Sequence, residues 1–135
     1  MSADATPTPA TFSRRDERGT FIEIINRGPW ETVITGEMSS GAIIGNHYHK
    51  ITELFFFLTG GHCRVDIECI RTGRRRHVPL SAGRGVHLHT FEAHAIRFSA
   101  PSTFILLKSH AFDPEQPDTY DHPVRTVETQ PAAAT

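Results

Sequence analysis

Short runs in which apolar and polar residues alternate constrain the fold of this chain more than any other feature of its sequence. The clearest run is 62–70, where Cys63, Val65, Ile67 and Cys69 fall on one side and charged residues fall on the other. This period of two is typical of a half-buried β-strand. Ile and Val together outnumber Leu in the 135-residue chain, which also favours sheet over helix. Similar β-like runs lie at 20–25, 32–35, 53–59, 86–89, 94–98 and 103–111.

Turn-forming residues separate these runs along the whole chain. About nine or ten short strands with frequent turns predict an all-β sandwich or barrel. Gly60-Gly61 stands between two of the runs and predicts a two-residue hairpin. The stretch 86–100 contains neither Gly nor Pro and also fits a helix, but we interpret it as strand.

The length of the chain allows one ordinary domain. Residues 1–11 and 129–135 have no apolar periodicity, so we expect two disordered tails. A single domain is therefore predicted over 12–128.

Charge and hydropathy exclude several classes of protein. The net charge is −1, from 14 basic and 15 acidic side chains, so no basic excess attracts nucleic acid. The longest apolar run, Leu54 to Leu58, is far shorter than the ~20 residues that span a bilayer. The N-terminal residues include no apolar segment of the kind found in secretory signals. We expect neither a nucleic-acid partner nor a membrane partner.

The two cysteines indicate a reducing compartment. On a strand that rises ~3.3 Å per residue, Cys63 and Cys69 lie about 20 Å apart. A disulfide requires Cα atoms within ~7 Å of each other, so these thiols cannot pair on that strand. A cytoplasmic protein with reduced cysteines is the prediction.

Histidine is unusually frequent, with nine copies, and its spacing points to metal chemistry. His47 and His49 project from the same face of a strand. Glu53 would lie about 20 Å from His47 on a continuous strand, so a shared metal requires the chain to reverse at 50–52. Two histidines, a carboxylate and a further histidine form a mixed site suited to Zn, Fe, Mn or Ni. A second cluster offers that further histidine, from His87, His89 or His94.

These residues carry a resemblance to the cupin superfamily. The pattern Gly41-x5-His47-x-His49-x3-Glu53-x6-Gly60 matches the first cupin motif at every specified position. The second cupin motif matches at Gly83 and His94, while His89, Phe91 and Phe98 stand where it has Pro, Gly and Asn. The resemblance implies an all-β, cupin-type double-stranded β-helix, or jelly-roll barrel. It also implies one divalent metal ion bound by His47, His49, Glu53 and His94. If Glu53 faces the barrel interior, alternation directs Phe55 and Phe57 there too.

A narrower resemblance covers roughly residues 16–124. It rests on Asp16-x-Arg18-Gly19-x-Phe21-x-Glu23, Gly45-Asn46-His47-Tyr48-His49, Phe112-Asp113-Pro114 and Pro117-Asp118-Thr119-Tyr120. These segments resemble the C-terminal cupin domain of bifunctional capsular-polysaccharide sugar reductases, and the first segment also resembles cupin-type deoxysugar epimerases and ketoisomerases. The resemblance implies a zinc-binding epimerisation module that acts on nucleotide-linked keto sugars. Ile44 stands where that family tends to have Arg.

The predicted function is a metal-dependent epimerase or isomerase of polysaccharide biosynthesis, with a small polar molecule as substrate. The metal, zinc first among the candidates, would polarise a carbonyl, and His89 is the candidate catalytic base. Two alternatives are an Fe(II)-dependent oxygenase and a non-catalytic cupin that binds a metal or a ligand.

A homodimer is the predicted assembly. Phe21, Ile22, Ile24 and Ile25 form an apolar run that would leave an exposed strand edge on a small barrel. A second copy of the chain would cover that edge.

Overall fold

The computed structural model of the protein describes residues 2–4 and 6–126. These residues form thirteen strands and no helix, so the predicted all-β fold is confirmed. Within this part of the chain, no helix has the length and apolar character needed to cross a bilayer. In chain order the strands are β1 (Ser2–Asp4), β2 (Thr8–Pro9), β3 (Phe12–Asp16), β4 (Gly19–Glu23), β5 (Thr32–Met38), β6 (Ile43–Tyr48), β7 (Leu54–Gly60), β8 (His62–Cys69), β9 (Arg75–Ser81), β10 (Arg84–Leu88), β11 (Glu92–Phe98), β12 (Ser102–Lys108) and β13 (Tyr120–Asp121).

Two sheets and a small ribbon contain all of these strands. The six-stranded sheet has the order β1-β9-β8-β11-β6-β13, and the five-stranded sheet has the order β2-β10-β7-β12-β5. Among the described strands, β3 and β4 pair only with each other. Neighbouring strands are antiparallel throughout, except that β1 runs parallel to β9. The two sheets form the cupin-type jelly roll that the sequence resemblance implies.

The main hydrophobic core lies between the two sheets, because both contribute buried side chains to it. Alternate residues of each strand point into this space. The buried members are Leu54, Phe56, Leu58, Cys63, Val65, Ile67, Val78, Leu80, Val86, Leu88, Ile96, Phe98 and Phe104.

The hairpin predicted at Gly60-Gly61 is wrong. β7 pairs with β10 and β12, whereas β8 pairs with β9 and β11, so the chain passes from one sheet to the other at these glycines. Gly61 has a φ of 90°, and a Cβ atom there would collide with Ser102 Oγ. Glycine is therefore needed for a close crossing between sheets rather than for a tight turn.

Phe55 and Phe57 point away from the barrel interior, whereas the sequence predicted that they point into it. Both rings are buried on the far side of the five-stranded sheet, where Ile24 and Trp30 cover them. Phe56 occupies the interior position instead. The strand alternates as expected, but its phase is opposite to the one inferred from an inward-facing Glu53.

The N-terminal tail is corrected in part. The prediction of a disordered segment over 1–11 conflicts with β1, which pairs with β9, and with β2, which pairs with β10. Strand edges offer unpaired backbone N–H and C=O groups, so a segment can join them without apolar periodicity of its own. The predicted tail at 129–135, and the domain end at 128, lie outside the described residues.

Cys63 and Cys69 are both free, in agreement with the prediction that they do not pair. Cys63 lies in the core, and burial raises the pKa of its thiol to about 12. This thiol is therefore neutral and unreactive at physiological pH.

Candidate active site

A β-bulge in β6 aims the first histidine of the cupin motif at the opposite strand. His94 on β11 pairs with His47, but the next residue, Ala95, pairs with Gly45, so one extra residue is accommodated in β6. Gly45 and Asn46 have φ angles of 104° and 60°. A Cβ atom on Gly45 would lie 2.6 Å from the carbonyl oxygen of His94. Glycine at this position therefore lets the two strands approach and brings His47 beside His94.

Three imidazole rings converge at this bulge. The ring centroids of His47 and His94 are 4.9 Å apart, those of His47 and His49 are 5.0 Å apart, and those of His49 and His94 are 6.1 Å apart. His94 is in phase with Ile96 and Phe98, so it points into the space between the sheets. We call His47, His49 and His94 the imidazole cluster.

The imidazole cluster is neutral at physiological pH. Burial lowers the pKa of His94 to about 3, and burial also lowers the pKa values of His47 and His49 from the ordinary value of 6.5. The positive charge of Lys108 lowers the pKa values of His47 and His49 further. Neutral imidazoles retain the lone pairs that metal coordination and proton abstraction require.

The chain bends at Lys50 and Ile51, directly after His49. The carboxylate of Asp118 holds this bend by accepting hydrogen bonds from the backbone N–H groups of Lys50, Ile51 and Thr52, at 2.8, 3.0 and 2.8 Å. Partial burial alone would raise the pKa of Asp118, but these bonds outweigh it and lower that pKa. The bend leads the chain from the six-stranded sheet into the five-stranded sheet.

Glu53 faces a second cluster rather than the imidazole cluster. Its Oε1 lies 2.9 Å from His87 Nε2 and 3.1 Å from His89 Nδ1, and its Oε2 accepts the N–H of Thr90 at 3.1 Å. Donor atoms of Glu53, His87 and His89 all lie within 4.8 Å of one another, which is a spacing that a metal ion can bridge. We call Glu53, His87 and His89 the carboxylate cluster.

The hydrogen bonds of the carboxylate cluster satisfy most of its polar atoms. Burial alone would raise the pKa of Glu53, but bonds from Thr90, His89 and His87 outweigh it and lower that pKa below its ordinary value. Arg27 Nη2 lies 2.9 Å from His87 Nδ1. An arginine can only donate, so His87 accepts at Nδ1 and donates from Nε2 to Glu53.

The two histidines of the carboxylate cluster differ in exposure. Their rings stack with centroids 4.2 Å apart, so His87 and His89 lie on the same face of the strand end. The side chain of His87 is 16% exposed and that of His89 is 56% exposed. His89 is therefore open to an incoming molecule, whereas His87 is enclosed.

Cavities lie on both sides of the 49–53 segment. One of about 280 Å³ is lined by Arg27, Trp30, Glu53 and His87. The other, of about 230 Å³, has His49 and Lys108 in its wall. The backbone N–H of Phe91 donates to the carbonyl oxygen of His49 at 2.8 Å, so the turn that follows His89 is fastened to the imidazole cluster.

The predicted ligand set is divided between these two groups. The structure brings together His47, His49 and His94, and it directs Glu53 to His87 and to the predicted base, His89. The phase of β7 explains this division, because Glu53 lies on the same side as Phe55 and Phe57.

Sequence reasoning missed Arg27, Trp30 and Lys108, which line the cavities, and the role of Asp118. Arg27, Trp30 and Lys108 lie in no recognisable motif. Asp118 belongs to a segment that supports the family resemblance, so a signal for it existed.

The imidazole cluster has the donor chemistry of a site for a divalent ion, but its donor atoms lie farther apart than those of the carboxylate cluster, which among the described residues is the group with all donors within 4.8 Å of one another. Three neutral imidazoles within 6.1 Å, centroid to centroid, provide nitrogen donors of the kind that zinc, iron, manganese and nickel accept. Glu53 would join them only by giving up its bonds to His87 and His89.

Solved structures with the same fold include a capsular polysaccharide assembling protein, a dTDP-sugar epimerase and a ketoisomerase. CapF from Staphylococcus aureus, a capsular polysaccharide assembling protein, is 24% identical with a TM-score of 0.66, over 84% of this chain and 34% of that one. A dTDP-6-deoxy-D-glucose-3,5-epimerase from Legionella pneumophila, in complex with dTDP-4-keto-L-rhamnose, is 20% identical with a TM-score of 0.67, over 78% of this chain and 66% of that one. A 3,4-ketoisomerase from Helicobacter canadensis is 17% identical with a TM-score of 0.70, over 82% and 85% of the two chains.

Comparison with the sequences of curated proteins gives no match. The chain spans about a third of the length of CapF. A family model described as the polysaccharide biosynthesis C-terminal domain matches residues 14–120, which include both clusters and the Asp118 segment. Because that match covers most of the sequence, the chain belongs to the polysaccharide biosynthesis C-terminal domain family.

Proposed function

We propose that this protein is a metal-dependent cupin enzyme that epimerises or isomerises a nucleotide-linked keto sugar. The observation that carries the proposal is the placement of three neutral imidazoles next to a carboxylate–histidine pair. Both groups adjoin the segment from His49 to Glu53. Moving a proton next to a carbonyl requires an electrophile for the oxygen and a base for the carbon-bound hydrogen, and the two clusters are suited to these roles.

The imidazole cluster would hold the metal ion. His47, His49 and His94 are the proposed ligands, and zinc is the first candidate ahead of iron, manganese and nickel. A divalent ion bound there supplies Lewis acidity toward a carbonyl oxygen. Glu53, the fourth ligand predicted from the sequence, is tested separately below.

His89 is the proposed base. Its Nδ1 lies 3.1 Å from Glu53, whose carboxylate accepts that N–H, so the lone pair is at Nε2. The carboxylate thus fixes the tautomer and stabilises the imidazolium that forms when His89 takes a proton. His89 is exposed enough to reach a bound molecule, and Glu53 is itself oriented by His87 and Thr90.

The substrate class follows from the family and from the proteins that share the fold. The family description concerns polysaccharide biosynthesis, and the names of two fold relatives specify a deoxysugar epimerase with a dTDP-linked keto sugar and a ketoisomerase. These relationships support a small nucleotide-linked sugar as the substrate. The free thiols Cys63 and Cys69 support the further proposal that the protein works in the reducing cytoplasm.

Deuterium exchange tests the reaction whatever its product is. The full chain, loaded with zinc, is incubated in D2O with dTDP-linked 4-keto sugars, and NMR follows the signals of the hydrogens next to the carbonyl. We expect enzyme-dependent loss of at least one such signal. We expect His89→Asn to slow that loss by about 100-fold or more, because a general base contributes about 10²–10⁴ in rate. His62→Asn is the matched control, since His62 is exposed and belongs to neither cluster.

Two outcomes would contradict this proposal. Absence of exchange with every keto sugar, in a protein that binds them, would favour a non-catalytic cupin. Oxygen uptake by the iron-loaded protein, without exchange, would favour the Fe(II)-dependent oxygenase.

Metal analysis tests the ligands. We expect the double variant His47→Ala/His49→Ala to lose the ion, and we expect Glu53→Gln to retain it while slowing exchange. Loss of the ion from Glu53→Gln would instead restore Glu53 to the ligand set. Full occupancy in the double variant would exclude the imidazole cluster as the metal site.

A further inference from the structure

One distant residue determines the shape of the bend that follows His49. Asp118 Oδ1 accepts the N–H of Lys50, and Asp118 Oδ2 accepts those of Ile51 and Thr52. The bend contains no Gly, Pro or Asn, so its own residues do not favour a turn. Three consecutive N–H groups directed at one carboxylate form an anion-binding concavity, and here a side chain of the same protein fills it.

The main chain of Asp118 makes a separate contact with His49. The carbonyl oxygen of Asp118 is the hydrogen-bond partner of His49 Nδ1. A carbonyl oxygen can only accept, so Nδ1 carries the hydrogen. In a neutral imidazole, the lone pair is then at Nε2. His49 is 7% exposed, which leaves water little opportunity to replace this partner.

These two contacts are mechanically connected. The side chain of Asp118 anchors the residue to the amides at 50–52, and its carbonyl oxygen reaches back to the residue immediately before them. β13, the next strand, begins only at Tyr120. The carboxylate of Asp118 is therefore closer to the carbonyl group of the same residue than any strand pairing is. We expect loss of the carboxylate to release the carbonyl oxygen from Nδ1.

We propose that Asp118 is a positioning residue that holds His49 in its Nδ1–H tautomer and so reserves Nε2 as an electron-pair donor. The use of Nε2 as a metal ligand rests on the proposed function, whereas the tautomer of His49 does not. Ligand histidines commonly donate their second ring nitrogen to a protein acceptor, and loss of that acceptor weakens metal binding. Asp118 differs from a simple acceptor because its side chain also builds the bend on which the histidine is mounted.

Imidazole NMR tests the tautomer directly. The full chain is labelled with ¹⁵N-histidine, freed of metal by a chelator and studied above the ordinary pKa of histidine. Long-range ¹H–¹⁵N correlations distinguish the tautomers, and the signals of His49 are those lost in His49→Gln. We expect a single Nδ1–H tautomer in the wild type. We expect both tautomers in Asp118→Ala.

Asp113→Ala is the matched control. Asp113 lies in the same loop, but its carboxylate accepts the N–H of Glu115 at 2.9 Å and none from the bend. We expect this variant to retain the wild-type tautomer. Asp118→Asn provides a second test if circular dichroism shows that Asp118→Ala does not fold, because Asn keeps the size of the side chain and replaces one acceptor with a donor.

Zinc titration supplies a second readout. We expect Asp118→Asn and Asp118→Ala to bind zinc about 10- to 100-fold more weakly than the wild type and than Asp113→Ala. An Nε2–H tautomer in the wild type, or an unchanged single tautomer in a folded Asp118 variant, would overturn the proposal. Unchanged zinc affinity in these variants would overturn its link to the metal. A fixed tautomer in a protein that does not exchange sugar protons would refute the proposed function alone.

Discussion

The backbone N–H of Phe91 donates to the carbonyl oxygen of His49 at 2.8 Å while Phe91 itself has a φ of 62°. Phe91 stands where the second cupin motif has glycine, and it adopts the left-handed conformation that glycine adopts without strain. Its ring also packs against a cation, with the guanidinium of Arg71 4.0 Å from the ring centroid. Phe91 therefore forms the turn before His94 in a conformation that glycine also adopts.

We expect Phe91→Gly to leave the free energy of unfolding within about 1 kcal/mol of the wild-type value. Relief of the left-handed conformation recovers about 1–2 kcal/mol, and loss of the ring–guanidinium contact costs about 1 kcal/mol. Phe91→Val should destabilise the protein, because a β-branched residue strongly disfavours this conformation. Urea denaturation followed by circular dichroism compares the three proteins. Equal stability of Phe91→Val and Phe91→Gly would contradict the assignment of strain to this residue.

Asp66 should be essential for stability rather than for activity. Its carboxylate is fully buried and pairs with Arg64 at 3.3 Å and with Arg97 at 2.9 Å. Arg97 also donates to the carbonyl oxygen of Val124, which ties the C-terminal segment to the sheet. We expect Asp66→Asn to lower the free energy of unfolding by about 3 kcal/mol, because it leaves two partly buried cations without their anion.

Asp16→Asn is the comparison for Asp66→Asn. Asp16 pairs with Arg18 at 2.8 Å, but that pair is at the surface. Surface pairs contribute little because water and salt screen them. Chemical denaturation should show no measurable change for this variant, and a loss as large as that of Asp66→Asn would argue against burial as the cause.

Stability should fall on acidification, even without a metal ion. Burial lowers the pKa of His94 to about 3, and the unfolded chain binds the same proton near 6.5. The unfolded state therefore binds more protons between these values, so stability is complete above about 6.5 and is lost as pH falls toward 3. Each such imidazole contributes a slope of up to about 1.4 kcal/mol per pH unit.

Thermal melts across this pH range measure the effect. We expect His94→Gln to have a shallower dependence than the wild type, with His62→Gln as a control that leaves the slope unchanged. Because burial lowers the pKa of His94 without a metal ion, removal of metal by a chelator should reduce the pH dependence of stability rather than abolish it. Superimposable curves for the wild type and His94→Gln would show that His94 titrates normally in the folded protein.

The protein should form homodimers through the β3–β4 ribbon. Phe12, Phe21 and Ile22 are 49%, 58% and 48% exposed on this ribbon, and two strands alone are marginally stable in water. A second copy would cover these side chains. Light scattering should give twice the 15.1 kDa monomer mass at micromolar concentration, and Phe21→Lys/Ile22→Lys should give the monomer. A monomeric wild type would contradict this prediction.

The sequence predicted the strands better than their partners. The alternation of apolar residues in 62–70 correctly indicated β8, and the Gly-free stretch 86–100 contains the end of β10 and all of β11. At Gly60-Gly61 the prediction failed because paired glycines suit a hairpin and a crossing between sheets equally well. The choice is decided by the pairing of β7 with β12, more than forty residues away, which no local pattern reveals.

The site was predictable to the extent that it depends on local spacing. His47 and His49 project together because they are two residues apart, and His94 joins them through the bulge at Gly45. The direction of Glu53 depends on the phase of β7, which is fixed by packing of Phe55 and Phe57 against the distant Ile24 and Trp30. The support that Asp118 gives to the bend likewise comes from a loop 66 residues beyond Thr52.

The passage of the chain between sheets at Gly60-Gly61 has a consequence for how the protein folds. Most strand pairs join distant segments, as in β5 with β12, β6 with β11 and β2 with β10. Among the described strands, the directly connected pairs are β3 with β4 and β8 with β9. Non-local pairing must close long loops before its contacts stabilise the chain, so folding is expected to take about milliseconds to seconds. During that time the very apolar β7 has no neighbour along the chain to pair with, which makes it the segment through which newly made molecules would most readily aggregate.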